Sequence, residues 1–360
     1  MADPLFSRPW WRATGFRLLG GILKPHRNRW APLPKNPRRI LVLLPVLRGD
    51  YLVATPLLEA LNRARPRAEI GVVVTTASYD LAVVDPYVDK VLLYEKLPWW
   101  PRSMWHILRY RPDIVVLPKG HPATTESGLL ALSGAAFRVG LSHPHHDSFL
   151  THPVAHDWEN EHRTEAFARL LQPFGLDPAE VTRRLHIGVD PNAEIWADKV
   201  ISAAPPAMPR IAINLSAGQQ SRIWPTENWL KLLSMLLDVY PQAGFVVLST
   251  PSDRALAEEI TERVPQARSY LTNTILEASA LLARCTLEIT SDTGMVHVAS
   301  ARNIPQVVLY NGDHEQYTRF SPQAVANRCL LAPPGESVTA HSPQDVAEAV
   351  QSLMKEIDQG

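Results

Sequence analysis

The sequence has few cysteines, no long apolar run and no net charge. Two cysteines in 360 residues, Cys285 and Cys329, are too few for a disulfide framework or a thiolate zinc site, and they indicate a reducing compartment. No apolar run reaches the roughly 18 residues that a membrane-spanning helix needs, and the signal-peptide pattern is missing as well. With 46% hydrophobic and 20% charged residues, the chain is predicted to be globular, and its length favours two domains.

The zero net charge hides a basic N-terminal segment, residues 1–38, which we call the arm. Residues 1–40 hold nine Lys or Arg and one acid, Asp3, so their charge is +8 and the rest of the chain carries −8. Trp10, Trp11, Leu18 and Leu19 lie among these cations. A basic segment rich in Trp and Leu can lie in a membrane interface. It can equally be an irregular segment packed on the body, and the sequence leaves both interpretations open.

Apolar runs alternate with helical patterns through the first half of the chain. The run Arg39–Val46 predicts a buried strand, and a helical pattern follows over Tyr51–Ala64. Such alternation continues to a strand at Ile114–Leu117 and indicates a parallel sheet covered on both faces. Asp50 therefore lies at the carboxyl end of the first strand, where a helix cap is the alternative to a catalytic role.

A Pro-rich stretch divides the chain. Residues 203–209 lack periodicity and charge, which favours a linker. We therefore expect an N-terminal domain over 39–202, a C-terminal domain over 210–342 and a closing helix over 343–360. A cleft between the two domains would be the usual place for a ligand.

The stretch Leu287–Tyr310 has the pattern strand, tight turn, helix, strand. Free N–H groups of Thr293 and Gly294 at the helix start would stabilise an anion such as a pyrophosphate. Asp292 would repel a phosphate, so we assign it to sugar hydroxyls or to capping those amides. His297, one turn in, would face the same crevice, although a plain helix cap explains the turn equally well.

A second polar region follows the predicted strand Ile114–Leu117. It begins with Lys119 and His121 and continues into the loop Ser142–His156, which contains five histidines. These histidines lack the fixed spacing of a known ligand set, which favours a solvated or acceptor-contacting loop over a metal site.

Three motifs together resemble glycosyltransferase family nine, the ADP-heptose:lipopolysaccharide heptosyltransferases. They are Arg48-Gly49-Asp50 with a following Glu-Ala-Leu, the segment SAGQQSRIWPTENW from Ser216, and SDTGMVHVASARNIPQVVLY from Ser291. The resemblance covers roughly Arg39 to Lys355. It implies an α/β fold of GT-B type, in which two Rossmann-like domains with parallel sheets face an interdomain cleft.

The resemblance also implies a reaction and its location. A nucleotide sugar, ADP-heptose, would bind the C-terminal domain, and a glycolipid acceptor would bind the N-terminal domain. Transfer would invert the anomeric carbon without a metal or a cofactor, in the cytoplasm at the inner face of the inner membrane. An anionic membrane surface is therefore an expected partner, and nucleic acid is not.

Individual residues match the family's motifs. Asp50 matches the aspartate thought to be the catalytic base. The donor-binding residues implied are Ser216, Arg222, Asp253, Asp292, Thr293, Gly294 and His297. The acceptor-binding residues expected are Gly49, Lys119 and His121.

Two of these positions depart from the family. Arg222 stands where the family usually carries Lys, and a guanidinium forks across two oxygens whereas an ammonium does not. Asp253 replaces the usual Glu, with Glu258 as an alternative. The sequence therefore leaves open the same fold with another nucleotide sugar, an epimerase, and a non-catalytic binding protein; the last is disfavoured because Asp50 and His297 are both present.

Overall fold

The computed structural model describes residues 28–95, 100–121, 124–144 and 146–359, with the backbone alone at Trp100 and Thr124. The chain divides into two compact units. The first unit reaches as far as Leu47 and resumes over Pro56–Thr182, and the second consists of Arg48–Thr55 and Arg183–Gly360. Most of the predicted arm, residues 1–27, lies outside the described residues.

The first unit contains a parallel sheet of six strands in the order β3-β2-β1-β4-β5-β6. Its central strands are continuous apolar runs because helices cover both faces of a parallel sheet. The strands are β1 (Arg39–Leu44), β2 (Glu69–Val74), β3 (Lys90–Leu93), β4 (Ile114–Leu117), β5 (Phe137–Leu141) and β6 (His152–Val154). The helices between residues 48 and 169 are α1 (Arg48–Val53), which belongs to the second unit, and α2 (Thr55–Ala64), α3 (Tyr79–Val83), α4 (Trp100–Tyr110), α5 (Thr124–Leu132) and α6 (Arg163–Arg169).

The second unit contains another six-stranded parallel sheet, in the order β12-β11-β10-β7-β8-β9. The strands are β7 (Arg210–Asn214), β8 (Gly244–Leu248), β9 (Ala267–Ser269), β10 (Leu287–Ser291), β11 (Gln306–Tyr310) and β12 (Asn327–Leu331). The helices are α7 (Pro191–Ser202), α8 (Thr226–Val239), α9 (Arg254–Arg263), α10 (Ile275–Leu282), α11 (Gly294–Arg302), α12 (His314–Phe320) and α13 (Pro343–Gln359).

Both sheets have the same topology. Numbered within its own unit, each runs 3-2-1-4-5-6, which is the doubly wound order of the Rossmann fold. In the second unit the order reverses between β7 and β10. Ligands of such folds bind outside the carboxyl ends of the strands at this switch point. The predicted α/β fold with two Rossmann-like units is confirmed.

One face of the second sheet carries the larger apolar core of that unit. Leu232, Leu233 and Leu236 of α8 and Val350 and Leu353 of α13 are fully buried in it. The two tryptophans of the Trp-Pro-Thr-Glu-Asn-Trp segment belong to the same core. Their rings meet edge to face at 4.9 Å, and Trp224 Nε1 donates to the carbonyl of His341 at 3.1 Å. These tryptophans therefore fix the start of α8 rather than contact a ligand.

The division between the units differs from the sequence prediction. It falls at residues 182–183, before α7, rather than at the Pro-rich segment 203–209. The reason is that α7 belongs to the second unit, where Glu194 forms ion pairs with Arg284 and Arg302. Residues 48–55 also group with the second unit, so the expected boundaries 39–202 and 210–342 need correction.

The last residues of the arm are described, and they pack on the first unit. Asn28 Nδ2 donates to the carbonyl of Ala136 at 3.1 Å, and the amide of Trp30 donates to the carbonyl of Thr151. His152 Nε2 donates to the carbonyl of Ala31 at 2.9 Å. Residues 28–31 are therefore part of the body at the β5–β6 edge.

Across the described residues, no helix combines the length and the apolar character that crossing a membrane requires.

Candidate active site

The second unit has a cavity of about 520 Å³ at the carboxyl ends of β7, β8 and β10. Its lining comes from the loops after these strands, from the segment 272–275 and from the starts of α1 and α11. The predicted donor-binding residues Ser216, Asp253, Thr293 and Gly294 all line it. The cavity thus lies at the switch point of the sheet, where a doubly wound fold binds ligands.

Thr293 begins helix α11. Its Oγ1 accepts from the amide of Met295 at 3.3 Å, so Thr293 is the N-cap and the alternative of Asp292 as the cap is wrong. Asn214, at the end of β7, donates through Nδ2 to Thr293 Oγ1 at 3.1 Å and to Thr290 Oγ1 at 2.9 Å. Sequence reasoning missed Asn214, although a polar residue closing a buried apolar strand was a usable signal. This side chain fixes the helix start against the neighbouring strand.

Arg222 and Asp292 form a buried pair beside this helix start. Arg222 Nη2 lies 3.1 Å from Asp292 Oδ2, and Nη1 donates to the Asp292 carbonyl at 2.9 Å. Burial raises the pKa of Asp292, while the positive charge of Arg222 acts in the opposite direction. Neither side chain lines the cavity. The structure therefore places Arg222 and Asp292 as an ion pair beside the cavity.

Asp253 is held in the cavity wall by hydroxyl groups. Its Oδ2 accepts from Ser216 Oγ at 2.6 Å and from Thr250 Oγ1 at 2.5 Å, and the amide of Thr250 donates to Ser216 Oγ at 2.7 Å. The alternative acid, Glu258, pairs with Arg254 at 2.8 Å outside the lining. The geometry therefore favours Asp253 over Glu258 as the acidic residue of this site.

Helix α1 packs on α11 through two glycines. A Cβ placed on Gly49 would lie 3.0 Å from Cδ2 of His297, and one on Gly294 would lie 3.9 Å from the Gly49 nitrogen. Arg48 lines the cavity, and Asp50 is the third residue of α1. His297 is 6% exposed and meets the ring of Phe320 edge to face at 6.1 Å, outside the cavity lining. Gly49, expected to bind acceptor, lies in this contact with α11.

Lys119 and His121 lie in the first unit after β4. Lys119 Nζ forms an ion pair with Glu126 at 3.2 Å, and the His121 ring meets Trp158 at 5.5 Å. The guanidinium of Arg163 lies 3.4 Å from the centre of the Trp158 ring. Sequence reasoning missed Trp158 and Arg163; the Arg163 side chain is buried against the Trp158 ring and holds that ring beside His121.

Hydrogen bonds from histidine side chains to backbone carbonyls hold the histidine loop. His146 Nε2 donates to the Leu141 carbonyl at 2.8 Å, and His156 Nε2 donates to the Ser142 carbonyl at 3.0 Å. His145 lies outside the described residues. In the part of the chain that the structure describes, no three His, Cys, Asp or Glu side chains come together as a possible metal-ligand set. The described histidines of this loop therefore contribute to its conformation.

A cavity at the switch point of a doubly wound sheet, with hydroxyl, carboxylate and guanidinium groups in its wall, is typical of nucleotide-binding α/β proteins. Residues 104–347 match the family model "Glycosyltransferase family 9 (heptosyltransferase)", and the chain belongs to this family. The match includes the predicted donor-site residues and begins after Asp50.

Individual relatives agree with this family. The lipooligosaccharide heptosyltransferase 2 of Haemophilus influenzae is 33% identical over 103 residues, which are 26% of this chain and 29% of that protein. A family 9 glycosyltransferase structure from Veillonella parvula has a TM-score of 0.75 at 21% identity and covers 89% of this chain and 98% of its own. The structure of E. coli ADP-heptose lps heptosyltransferase II has a TM-score of 0.73 at 21% identity, covering 89% and 99%. The structural likeness shows the shared fold.

Proposed function

We propose that the protein is an inverting glycosyltransferase that moves a heptose from ADP-heptose to a lipopolysaccharide-core or related glycolipid acceptor, without a metal. Membership in the family supports the transferase class. The observation that carries the proposal is the cavity at the switch point of the second unit, because its wall includes the start of α11 and its size, about 520 Å³, suits a nucleotide sugar.

The donor diphosphate is proposed to bind at the start of α11. Thr293 and Gly294 line the cavity there, and their backbone N–H groups are the proposed donors to the anion, because the Met295 amide already donates to Thr293 Oγ1. Arg48 adds a cation to the same wall, and Arg222 lies beside it, paired with Asp292. These groups would neutralise the charge that develops on the leaving ADP as its bond to the sugar breaks.

Asp50 is proposed to be the general base. It follows Arg48 and Gly49 in the helix that packs on α11, so its chain position is fixed relative to the donor cavity. The Asp50 carboxylate would take the proton from an acceptor hydroxyl while that oxygen forms a bond to the anomeric carbon. The bond from this carbon to ADP breaks, the electron pair leaves with ADP, and attack from the opposite face inverts the configuration.

The acceptor is proposed to contact the first unit near Lys119 and His121. An ammonium group and an imidazole at this strand end suit the phosphates of a lipopolysaccharide core. A lipid-borne acceptor would place the protein at the inner face of the inner membrane, with the basic arm on an anionic lipid surface. No nucleic-acid partner is proposed.

A donor panel tests the proposal. ADP-, GDP- and UDP-sugars are each incubated with the protein and with core glycolipid in mixed micelles, and the product's anomeric configuration is determined by NMR. We expect transfer from ADP-heptose alone, with inversion. Transfer from a GDP- or UDP-sugar, retention of configuration, or epimerised donor without transfer would each replace the proposed activity.

Transfer is also predicted to be independent of divalent ions. The groups proposed to neutralise the leaving ADP are side-chain cations and backbone amides, so a chelator should leave the rate unchanged within about twofold. The measurement is the transfer rate with and without EDTA. A lost rate that Mg²⁺ or Mn²⁺ restores would contradict this prediction.

A further inference from the structure

Helix α4 in the first unit presents apolar side chains to solvent. Its inner side buries Met104, Ile107 and Tyr110, as expected of an amphipathic helix. Its outer side leaves Trp105 53% exposed and Leu108 48% exposed. Two large apolar side chains spaced three apart lie on one face of a helix, so they form a continuous surface rather than two isolated exposures.

This surface extends to the end of α5. Leu132, the last residue of α5, is 37% exposed. A Cβ placed on Gly134, two residues further on, would lie 3.8 Å from Cδ2 of Leu108. We call Trp105, Leu108 and Leu132, with the arginines described next, the α4 face.

The arginines of the α4 face are Arg102, Arg109 and Arg111, which are exposed. Residues 100–112 contain no acidic residue. The Arg109 guanidinium lies 5.3 Å from the centre of the Trp105 ring, so charge and aromatic surface are directly adjacent.

The acidic residues nearest this region take part in other contacts. Glu69 pairs with Arg39 at 3.5 Å, and Asp89 accepts from the amide of Ile70 at 2.8 Å. Asp113 accepts from the amides of Arg38 at 2.6 Å and of Arg39 at 3.0 Å. Glu95, whose amide donates to Ser103 Oγ on α4 at 2.9 Å, is a fourth acidic residue beside this helix. Five cations, namely Arg39, Lys90, Arg102, Arg109 and Arg111, therefore stand against four carboxylates, and the region keeps a small excess of positive charge.

A cavity of about 400 Å³ lies beside Trp105. Its wall includes the basic side chains of Arg39, Lys90, His106 and Arg109 and a single carboxylate, that of Glu69. Cationic side chains around a concave space next to an apolar surface suit a phosphate attached to something apolar.

We propose that the α4 face docks on an anionic phospholipid bilayer. Trp105 and Leu108 enter the boundary between headgroups and acyl chains, the arginines contact the headgroups, and the cavity receives a headgroup phosphate. The inference deepens the proposed function and rests on it in one respect, since a lipid-borne acceptor gives the docking a purpose.

Charge favours the bilayer over the arm as the occupant of this face. Residues 1–27 carry Arg8, Arg12, Arg17, Lys24 and Arg27 against Asp3 alone. A basic arm and a basic face repel each other, and both attract the same anionic partner.

The position of Asn28 also agrees with a bilayer that contacts both the arm and the α4 face. Asn28 bonds to the carbonyl of Ala136, two residues beyond Gly134 and so beside Leu108. Asn28, the first described residue, therefore lies near the edge of the α4 face.

The test is sedimentation of the full chain with vesicles of phosphatidylcholine alone or with phosphatidylglycerol added. We expect the W105Q/L108Q and R102Q/R109Q double variants each to lose about tenfold in partition onto the anionic vesicles at low salt. Ile195→Gln is the matched control, because Ile195 is 67% exposed on α7 of the second unit. It should partition like the unchanged protein.

A second readout locates Trp105. Brominated phosphatidylglycerol should quench the tryptophan fluorescence of the unchanged protein more than that of Trp105→Phe. Double variants that partition like the unchanged protein, or equal partition onto both kinds of vesicle, would overturn the proposal. So would increased proteolysis of residues 1–27 in W105Q/L108Q, because it would show that the arm covers the face.

Inorganic phosphate at constant ionic strength should not displace the protein from vesicles; displacement would overturn lipid docking in favour of a free phosphate site. The binding measurement needs no turnover, so failure of the proposed reaction would appear separately, as absent transfer with the vesicle pattern intact.

Discussion

Arginine at position 222 makes a contact that lysine could not. Its guanidinium reaches both the side-chain Oδ2 and the backbone carbonyl of Asp292, at 3.1 and 2.9 Å. A single ammonium on a flexible stem does not offer this planar fork. The sequence predicts that Arg222 binds the donor, and it assigns Asp292 to sugar hydroxyls or to capping the amides of the helix start. In the structure the two residues form a pair at the turn that precedes Thr293.

The proposed role of Asp50 as general base is tested by replacing it with Asn. Asn in its place keeps the size and most hydrogen bonding but removes the ability to accept a proton. We expect turnover to fall by ~10²-fold or more while donor affinity stays nearly unchanged. Steady-state kinetics and ADP-heptose binding by calorimetry measure the two quantities. Near-normal turnover in Asp50→Asn would reduce Asp50 to a structural residue of α1.

The contact between helices α1 and α11 requires glycine at position 49, where there is no side chain. A Cβ on Gly49 would stand 3.0 Å from Cδ2 of His297, which is tighter than ordinary contact. Gly49→Ala should therefore move His297 or α1 and cost ~1–3 kcal/mol in the free energy of unfolding, as overpacking does. Donor affinity should fall as well, because α11 begins in the cavity wall.

Gly128→Ala is the matched control for this change. A Cβ at Gly128, inside α5, meets no atom within 4 Å, so the variant should be as stable as the unchanged protein or more stable by up to ~1 kcal/mol. Urea unfolding and ADP binding are measured for both variants. Equal behaviour of the two would show that the α1–α11 contact has room for a methyl group.

Strand β10 contains a fully buried acid, Glu288. Burial raises the pKa of its carboxyl group well above the ordinary value. As pH rises above ~4.3, the unfolded chain loses this proton before the folded one, so Glu288 lowers stability increasingly up to its folded pKa. Glu288→Gln has no such titration. Its stability relative to the unchanged protein should increase by up to ~1.4 kcal/mol per pH unit in that window.

Urea unfolding at pH 5, 6 and 7 checks this prediction. Glu258→Gln serves as the control, because Glu258 is exposed and paired with Arg254, and it should show no comparable trend. A constant difference between Glu288→Gln and the unchanged protein across this range would mean that Glu288 is ionised in the folded state.

The elements that sequence predicted best are those with a local signal. The apolar run of β1, the turn before α11 and the alternation of strands and helices depend on neighbours a few residues apart. The contacts it missed join distant residues: Glu194 and Arg284 are 90 positions apart, and they attach α7 to the second unit. Asn214 and Thr293 are 79 apart. The domain boundary depends on such contacts, which no local pattern contains.

At the scale of the whole molecule, the uneven distribution of charge matters more than the net charge of zero. The positive excess lies in the arm, residues 1–38, and residues 28–31 of the arm are bonded to the first unit. A truncation that begins near Arg38 would remove these structural bonds together with the basic residues. A truncation that begins at Asn28 separates the two effects, since it removes residues 1–27 and leaves the contacts in place.

We predict that residues 1–27 bind anionic lipid. They hold five Lys or Arg against Asp3, and each cation near the surface contributes ~1 kcal/mol at most and less as salt screens it. The full chain should therefore sediment with anionic vesicles at low salt and be released at high salt.

The protein that starts at Asn28 should fold, bind ADP-heptose and keep only the weaker binding of the α4 face. A version that starts at Arg38 should in addition lose thermal stability, because the bonds of Asn28, Trp30 and Ala31 are gone. If the full chain and the Asn28 version bind vesicles equally, the membrane contact belongs to the body of the protein. If the Asn28 version fails to fold, residues 1–27 are a structural element, and the packing interpretation of the arm is the correct one.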